Sequence, residues 1–444
     1  MLIVSCHFPP ANNIAAVRIG KFAKYLPEFG WEPIVLTNAV DKKRPQTLPV
    51  EVPEANIIRV PHLSLGISNT IYRGLGGEDN SYAASPWANV NWKRALLRLV
   101  RMTRPIYTFP LIERLRFELA RFYFPGVRKG LEIINNCKID LIFSTYSPST
   151  TPLIASRLHS KTGIPWVADF RDLWLDPRFG KGQLYQFFNK KLEKKINRGA
   201  SILVGATEPI SELLEAIHSK KAATITNGFD ETDYQESVPL LPKFTLTYTG
   251  NIYSGKRDLT PLFEALKELR DEGKISHGNF EVRFFGGNSL NFLPPLIKNY
   301  HLEDIVSVYG FIPFKESIKK QKETTVLLLL EWDNPLAGHV YTGKIFEYLG
   351  ASRPILAIAF KGGIINELLN KSGCGKVVTE VNEIKALLTK WLQEFAESGN
   401  IKSYFNPDVE IIKCYTRREQ TRKLAQVFDE LTQGKILSRQ RQKS

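Results

Sequence analysis

Three segments of this sequence bring charged and polar residues together where a strand would end or a helix would begin. In the first, residues 168–174, two carboxylates flank Arg171 directly after an apolar run. Side chains at the carboxyl end of a parallel strand face the crevice in which α/β proteins bind their ligands. We therefore expect Asp169 and Arg171 to orient a substrate. A simple structural pair between Arg171 and Asp172 is the alternative explanation of the same residues.

The second segment, residues 338–350, is a turn of small and polar residues that leads into a helix. The unpaired N–H groups and the dipole of a helix N-terminus favour an anion such as a phosphate. Lys344 and Glu347 lie on neighbouring faces of that helix, where the carboxylate can accept hydrogen bonds from sugar hydroxyls. An exposed Lys–Glu pair on an ordinary helix would give the same pattern. The candidate binding residues of this segment are His339, Tyr341, Thr342, Gly343, Lys344 and Glu347.

The third segment, residues 249–258, is a glycine-bracketed loop with two adjacent cations, Lys256 and Arg257. Backbone N–H groups and cations in such a loop suit a diphosphate. The same charges would stabilise the negative charge that develops on a departing phosphate oxygen. We therefore place Gly250, Lys256 and Arg257 in the binding site. The candidate catalytic residues are Asp169, Arg171, Lys256 and Glu347.

A further loop, residues 11–16, follows a short apolar run and precedes an amphipathic helix. Its small residues allow backbone amides at the helix start to approach an anion. Asn13 is the candidate contact in this loop, although many loops between a strand and a helix look similar.

The elements that position these segments alternate between short β-rich runs and helical stretches. This alternation predicts an α/β fold of parallel strands joined by crossover helices. The predicted strands are 2–6, 33–37, 141–144, 165–169, 201–206, 244–249, 280–285, 305–309, 325–330, 355–358 and 375–378.

A polar stretch at 231–242 with two prolines and no periodicity is the predicted linker between two halves. A chain of 444 residues is long enough for two to four domains. We predict an N-terminal Rossmann-like domain over 1–235 and a C-terminal one over 243–410. A final helix with a basic tail is expected over 411–444.

Charge and composition restrict the partners of the chain. A formal net charge of +15 indicates an anionic partner, such as a phosphorylated small molecule, an anionic lipid or a nucleic acid. The four cysteines lack the spacing of zinc ligands, so we expect no metal site and no disulfide framework. The apolar runs are too short to span a bilayer, and the first ten residues do not resemble a signal peptide. These features favour a cytoplasmic location.

An insertion at about residues 65–130 interrupts the α/β alternation. Within it, residues 92–130 carry ten Lys or Arg against two Glu, interleaved with aromatic side chains. That combination is typical of helices lying on an anionic membrane surface. A solvated helical insertion that packs its aromatic residues inward is the alternative.

Five motifs taken together resemble a known family. The motifs are similar to those of family-4 glycosyltransferases: HFPP…R near the start, ADFRDLW at 168–174, TNGFD at 226–230, TGNIYSGKRD at 249–258 and YTGKIFEYLGASRPIL at 341–356. The resemblance covers roughly residues 1–430. It implies the GT-B fold, in which two Rossmann-like domains face a central cleft, and a retaining, metal-independent transfer from a nucleotide-sugar such as a UDP- or GDP-sugar.

The same resemblance implies roles for individual residues. Glu347 is similar to the second glutamate of the family's Glu-x7-Glu motif, which binds the donor ribose, and Lys256 is similar to the cation that contacts the diphosphate. Three positions depart from the family pattern. His339 stands in place of the first glutamate, Asn251 in place of a common arginine, and the N-terminal loop lacks the glycine pair.

We expect a hexosyltransferase that adds a sugar to a glycan or a lipid-linked acceptor in surface polysaccharide biosynthesis. The N-terminal domain would face the acceptor and the C-terminal domain would hold the donor. The protein would lie peripherally on the inner face of the cell membrane, in contact through residues 92–130. A GT-B sugar-nucleotide epimerase and a non-enzymatic basic nucleic-acid-binding protein are the alternatives. No sequence motif supports nucleic-acid binding.

Overall fold

A computed structural model of the chain describes residues 1–40, 46–60, 122–176, 178, 183–252, 257–287 and 289–441. Within these residues the strands form two parallel sheets, one of seven strands and one of six. The first sheet contains β1 (Leu2–Val4), β2 (Ile34–Asn38), β3 (Ile57–Val60), β4 (Ile142–Tyr146), β5 (Trp166–Phe170), β6 (Ile202–Gly205) and β7 (Ala222–Thr224). The second sheet contains β8 (Phe244–Thr249), β9 (Phe280–Phe285), β10 (Val306–Gly310), β11 (Val326–Leu330), β12 (Ile355–Ile358) and β13 (Gly375–Val377).

Both sheets are doubly wound. Their strand orders are β3-β2-β1-β4-β5-β6-β7 and β10-β9-β8-β11-β12-β13. Val4 of β1 pairs with β2 and with β4, and Leu246 of β8 pairs with β9 and with β11. The direction of winding therefore reverses between β1 and β4 and between β8 and β11. At such a reversal the loops diverge, and the crevice that binds ligands opens beyond the strand ends.

Helices cover the faces of both sheets because the central strands are buried on both sides. They are α1 (Ile14–Tyr25), α2 (Phe124–Asn136), α3 (Thr150–Thr162), α4 (Gln183–Asn197), α5 (Glu208–His218), α6 (Thr260–Asp271), α7 (Ser289–Asn299), α8 (Phe314–Lys322), α9 (Gly343–Ala351), α10 (Ile364–Ser372), α11 (Val381–Ser398), α12 (Val409–Lys413) and α13 (Arg417–Arg441). No helix among the described residues is both long and apolar enough to cross a membrane.

The last helix, α13, returns to the N-terminal half of the molecule. Phe428 is fully buried there and packs edge-on against Phe143 of β4, with ring centroids 5.6 Å apart. The indole N–H of Trp31 donates a 3.0 Å hydrogen bond to Asp429. The segment predicted as a separate C-terminal helix thus completes the core beside the first sheet, and it divides into α12 and α13.

Most predicted strands are present within one or two residues of their expected bounds. The short strands β3 and β7 were not predicted. Residues 61–121, which hold most of the insertion and most of its basic residues, lie outside the described residues. The predicted membrane contact through 92–130 therefore stays a prediction.

Candidate active site at the cleft between the two sheets

The carboxyl ends of β8 and β11 and the N-terminus of α9 converge at the cleft-facing edge of the second sheet. The N-terminus of α9 also meets the start of α1 from the first half. A Cβ atom on Gly343 would lie only 2.8 Å from Cδ1 of Ile14. A glycine here allows the two helix starts to approach each other closely, so both halves of the molecule border the site.

Lys344, in the first turn of α9, is the most unusual cation of this region. Its side chain passes over Gly250 at the end of β8, where a Cβ atom would lie 2.4 Å from the lysine Cε. Its ammonium group lies 5.4 Å from the ring centre of Tyr248. Among the described residues Lys344 forms no salt bridge. Burial, reinforced by the nearby positive charge of Arg257, lowers the pKa of Lys344 to about 8.

Arg257 already has a counterion. Its guanidinium pairs with Glu331, which follows β11, at 2.5 Å. It also donates to the carbonyl of Asn251 at 2.6 Å and to the hydroxyl of Tyr248 at 3.2 Å. These bonds hold the loop after β8 against the end of β11. The structure therefore directs Arg257 towards Glu331, and it leaves Lys344 as a half-buried cation without an ion pair among the described residues.

Glu347 lies one turn into α9, beside Lys344. The side-chain amide of Gln321 on α8 donates to its carboxylate at 3.1 Å and to the hydroxyl of Thr249 at 2.9 Å. Burial raises the pKa of Glu347, and the positive charge of Lys344 opposes that shift. A carboxylate held this way can accept further hydrogen bonds from hydroxyl groups that enter the cleft.

The N-terminus of α9 has no side-chain cap. Thr342 occupies the N-cap position, but its side chain forms no capping hydrogen bond. The amide of Ile345 donates to the carbonyl of Thr342 at 3.3 Å, and the amides of Gly343 and Lys344 remain available to an external acceptor. The adjacent Tyr341 packs edge-on against Phe346, with ring centroids 5.3 Å apart, and burial raises its pKa. Tyr341 therefore packs the segment before α9 against the helix itself.

His339 connects the two halves. Its backbone carbonyl accepts a 2.8 Å hydrogen bond from the hydroxyl of Thr207 at the start of α5. Its Nε2 atom is buried without a hydrogen-bond partner in the described part of the chain. Burial lowers the pKa of His339, and the charges of Asp176, Arg178 and Asp172 act on it from across the cleft. A neutral imidazole here offers one unused polar atom to a bound ligand.

Asp169, predicted to orient a substrate, lies in the interior of the first domain. Its side chain has no exposed surface and pairs with the equally buried Arg18 of α1 at 2.7 Å. The hydroxyl of Thr145 donates to its second carboxylate oxygen at 2.8 Å. Arg18 also donates to the carbonyls of Ile225 and Thr226. The geometry thus gives Asp169 the position of a structural anion below the cleft.

Arg171 does not pair with Asp172 in the structure. Its guanidinium donates to the carbonyls of Tyr146 and Ser147, each at 3.0 Å. Burial lowers its pKa. Arg171 therefore shapes the loop that follows β4 at the edge of the cleft. Asp172 pairs instead with Arg178 at 2.9 Å.

Asn13 caps α1. Its side-chain oxygen accepts from the amide of Ala16 at 2.9 Å, and its amide lies 3.5 Å from the ring of His7. Lys256 lies outside the described residues, so its predicted contact with the diphosphate stays a prediction. No group of three or more metal-ligating side chains occurs among the residues that the structure describes.

Four residues of this site were given no role by the sequence: Arg18, Tyr248, Gln321 and Glu331. Glu331 had a usable signal because it follows the apolar run of β11 directly, at a strand end. Arg18, by contrast, occurs in an amphipathic helix, where a charged residue ordinarily marks the solvated face. Only the tertiary structure reveals that this face is buried.

Comparison with known proteins supports the fold. No family model and no curated protein matches the chain. A glycosyltransferase from Rickettsia africae ESF-5 is similar over 97% of this chain and 98% of its own, with 16% identity and a TM-score of 0.60. Anabaena Alr3699/HepE, solved with UDP-glucose, is similar over 99% and 100% of the two chains, with 14% identity and a TM-score of 0.54.

A third similar structure is the trehalose 6-phosphate synthase of Burkholderia multivorans, with 11% identity and a TM-score of 0.61 over 98% of this chain and 99% of that one. The likeness spans both sheets and the returning C-terminal helix. Together with the two parallel sheets and their flanking helices, it confirms the predicted GT-B fold.

Proposed function

We propose that the protein is a glycosyltransferase that takes its sugar from a nucleoside diphosphate donor bound against the second sheet. The observation that carries the proposal is Lys344, a half-buried cation without an ion pair among the described residues, beside a helix N-terminus without a side-chain cap. Burying an uncompensated charge is costly, so such a group is expected where a ligand supplies the counter-charge. A diphosphate has the charge and the acceptor oxygens that this position lacks.

In the proposed reaction the bond between the sugar and the diphosphate breaks, and the anomeric carbon forms a bond to a hydroxyl oxygen of the acceptor. The acceptor hydroxyl loses its proton to the departing diphosphate or to water, and negative charge develops on the departing oxygen. Lys344 and the first-turn amides of α9 would stabilise that charge. Lys256, in the adjacent loop, is proposed to add a second cation. Glu347 would accept hydrogen bonds from the donor ribose, and Gln321 would keep its carboxylate oriented.

The finer assignment follows the family resemblance. We propose a family-4-like enzyme that retains the anomeric configuration, uses a UDP- or GDP-sugar and needs no metal, because cations and helix amides would bind the diphosphate. HepE, a similar structure, was solved with UDP-glucose. His339 and Asn13 are proposed to border the transferred sugar.

The acceptor is proposed to be a glycan or a lipid-linked glycan of surface polysaccharide biosynthesis, held by the first domain. Peripheral attachment to the inner face of the cell membrane through residues 92–130 belongs to the same proposal. The net charge of +15 supports an anionic surface as partner.

Isothermal titration of the purified protein with UDP, GDP, ADP and TDP and their common sugar conjugates tests the proposal. We expect saturable binding of one nucleotide class, and we expect that the matching sugar conjugate competes for the same site. A folded protein that binds none of these compounds would contradict the proposed function.

A further inference from the structure

A second cavity opens on the first domain, beside the end of β5. Its volume is about 350 Å³, which lies within the range of ligand pockets. Its wall is mainly apolar and is formed by Leu173, Trp174, Leu175, Phe187 and Ile217. Phe187 is 53% exposed, so part of this apolar surface faces solvent. The cavity lies apart from the donor site described above.

The acidic group of this cavity already has a hydrogen-bonding partner. Glu193 of α4 contributes to the wall, but it is only 1% exposed and its carboxylate lies 3.2 Å from Nε2 of the buried His218. The cavity therefore presents no free carboxylate to a ligand among its described residues.

Helix α4 places a strongly basic surface at the rim of the cavity. Five exposed cations lie on or directly after this helix, and none has an ion pair among the described residues. Lys190 lines the cavity itself, and Lys191 lies over the ring of Phe187 at 4.3 Å. The five cations are Lys190, Lys191, Lys194, Lys195 and Arg198. An apolar cavity with a cationic rim is complementary to a molecule with an apolar body and an anionic head.

One wall residue of the cavity also contacts the edge of the proposed active-site cleft. Trp174 stacks on Tyr146 at the end of β4, with ring centroids 4.9 Å apart and an angle of 10° between the rings. The carbonyl of Tyr146 is held by Arg171, which follows β5. The indole of Trp174 donates to Asn189 of α4 at 3.4 Å. The strand ends that border the cleft thus also support the wall of the cavity.

We propose that this cavity holds the hydrocarbon chain of a lipid phosphate or diphosphate, with the anionic head against Lys190 and Lys194. The proposal rests on the proposed function and deepens it, because it assigns the lipid of a lipid-linked acceptor to one place on the first domain. Lys194 lies one helical turn after Lys190, on the same side of α4. Full affinity should need both the hydrocarbon chain and the anionic head, because the chain contacts only the apolar wall and the head contacts only the lysines.

Farnesyl diphosphate, below its aggregation concentration, is the probe for a calorimetric titration of the full-length protein. Inorganic diphosphate and farnesol test the head and the chain separately. We expect saturable binding of farnesyl diphosphate and at least about tenfold weaker binding of either part alone. Lys190→Glu removes the cation at the cavity, and Ile217→Asp places a charge in its half-buried wall. Each should weaken binding at least about tenfold, because like charges repel the head and a carboxylate opposes burial of the chain.

Lys195→Glu is the matched control. It makes the same charge change on the same exposed helix, but five residues after Lys190, about 140° around the helix axis. We expect it to change the affinity for farnesyl diphosphate less than about twofold. Equal losses for Lys190→Glu and Lys195→Glu would overturn the proposal, because the charge would then act only diffusely. The absence of saturable binding in the folded wild-type protein would also overturn it.

Two further measurements separate this proposal from its alternatives. The first measures binding to phosphatidylglycerol vesicles. If the wild type and Ile217→Asp bind these vesicles equally well and neither binds farnesyl diphosphate, the lysines contact a bilayer surface and the proposed pocket is overturned. Nucleotide titration of the same variants should give unchanged donor affinity. Farnesyl diphosphate binding in a protein that binds no nucleotide would support the pocket while contradicting the proposed function.

Discussion

Lys344 should make donor binding depend on pH in a way that fully exposed lysines do not. The pKa of this lysine is about 8 in the unliganded protein, against an ordinary value of 10.5. A bound diphosphate favours the charged form and should return the pKa towards its ordinary value. Raising the pH through 8 therefore deprotonates the free protein before the complex, and the affinity for the donor falls.

The size of the effect follows from the two pKa values. With pKa values of about 8 free and 10.5 bound, the dissociation constant should rise about tenfold between pH 7 and pH 9. Arg257, Glu331 and Glu347 are the charged neighbours that act on this group. Arg257 and Glu331 form an ion pair with each other.

Two substitutions isolate Lys344. Lys344→Arg keeps a positive charge at every pH in this range, so its donor affinity should be nearly independent of pH. At pH 7, Lys344→Met should bind the nucleotide more weakly than the wild type does. The affinity of this variant should be the same at pH 9 as at pH 7. Any titration of the nucleotide itself is common to all three proteins and cancels in the comparison.

The Met variant should also unfold at a higher denaturant concentration than the wild type. A lysine whose native pKa lies below its unfolded value destabilises the protein below that native pKa, and the penalty disappears above the unfolded value. A shift from 10.5 to about 8 corresponds to a penalty of up to about 3 kcal/mol near pH 7, which Lys344→Met removes. Higher stability together with weaker nucleotide binding in Lys344→Met is expected if the charge of Lys344 serves to bind the ligand. Equal pH dependence in the wild type and in Lys344→Arg would refute this reasoning.

Three other predictions concern neighbouring parts of the structure. Asp169→Ala should lower the free energy of unfolding by about 3–5 kcal/mol in a urea titration, because it leaves Arg18 buried without its counterion; a loss below about 1 kcal/mol would show that the pair is not buried in solution. Glu347→Ala should weaken nucleotide binding by about 1–3 kcal/mol in calorimetry while the protein stays folded, and unchanged affinity would remove Glu347 from the site. Gly250→Ala should weaken donor binding at least about tenfold, because Gly250 has φ of +119° and a methyl group there would displace Lys344; binding at wild-type strength would show that the lysine does not need this path.

The sheets could be read from the sequence where strands are long and fully buried. The five residues of β11 are all apolar and buried, and the bounds of β8 and β9 coincide with those of the predicted runs. The strands β3 and β7 were missed because each has only three or four residues and lies at an edge of its sheet, so that neither shows a continuous apolar run.

The site was predictable at the level of segments and not at the level of partners. The spacing of Lys344 and Glu347 predicted that they lie on neighbouring faces of one helix, and the structure places both on α9. The ion pair between Arg257 and Glu331 could not be predicted from the sequence, because the two residues are 74 positions apart and meet only in the folded chain. Asp169 was predicted to be a cleft residue because of its place at a strand end. Both faces of β5 are buried, and the side chain of Asp169 lies on the face where it meets Arg18 of α1.

A crystal structure of the protein with the nucleoside diphosphate that binds in the titration panel tests the central claim most directly. The account predicts a phosphate oxygen at about 2.7–3.2 Å from the Nζ atom of Lys344, with the first-turn amides of α9 donating to the same diphosphate. A nucleotide bound with its diphosphate away from Lys344 and from the start of α9 would contradict the proposed donor site.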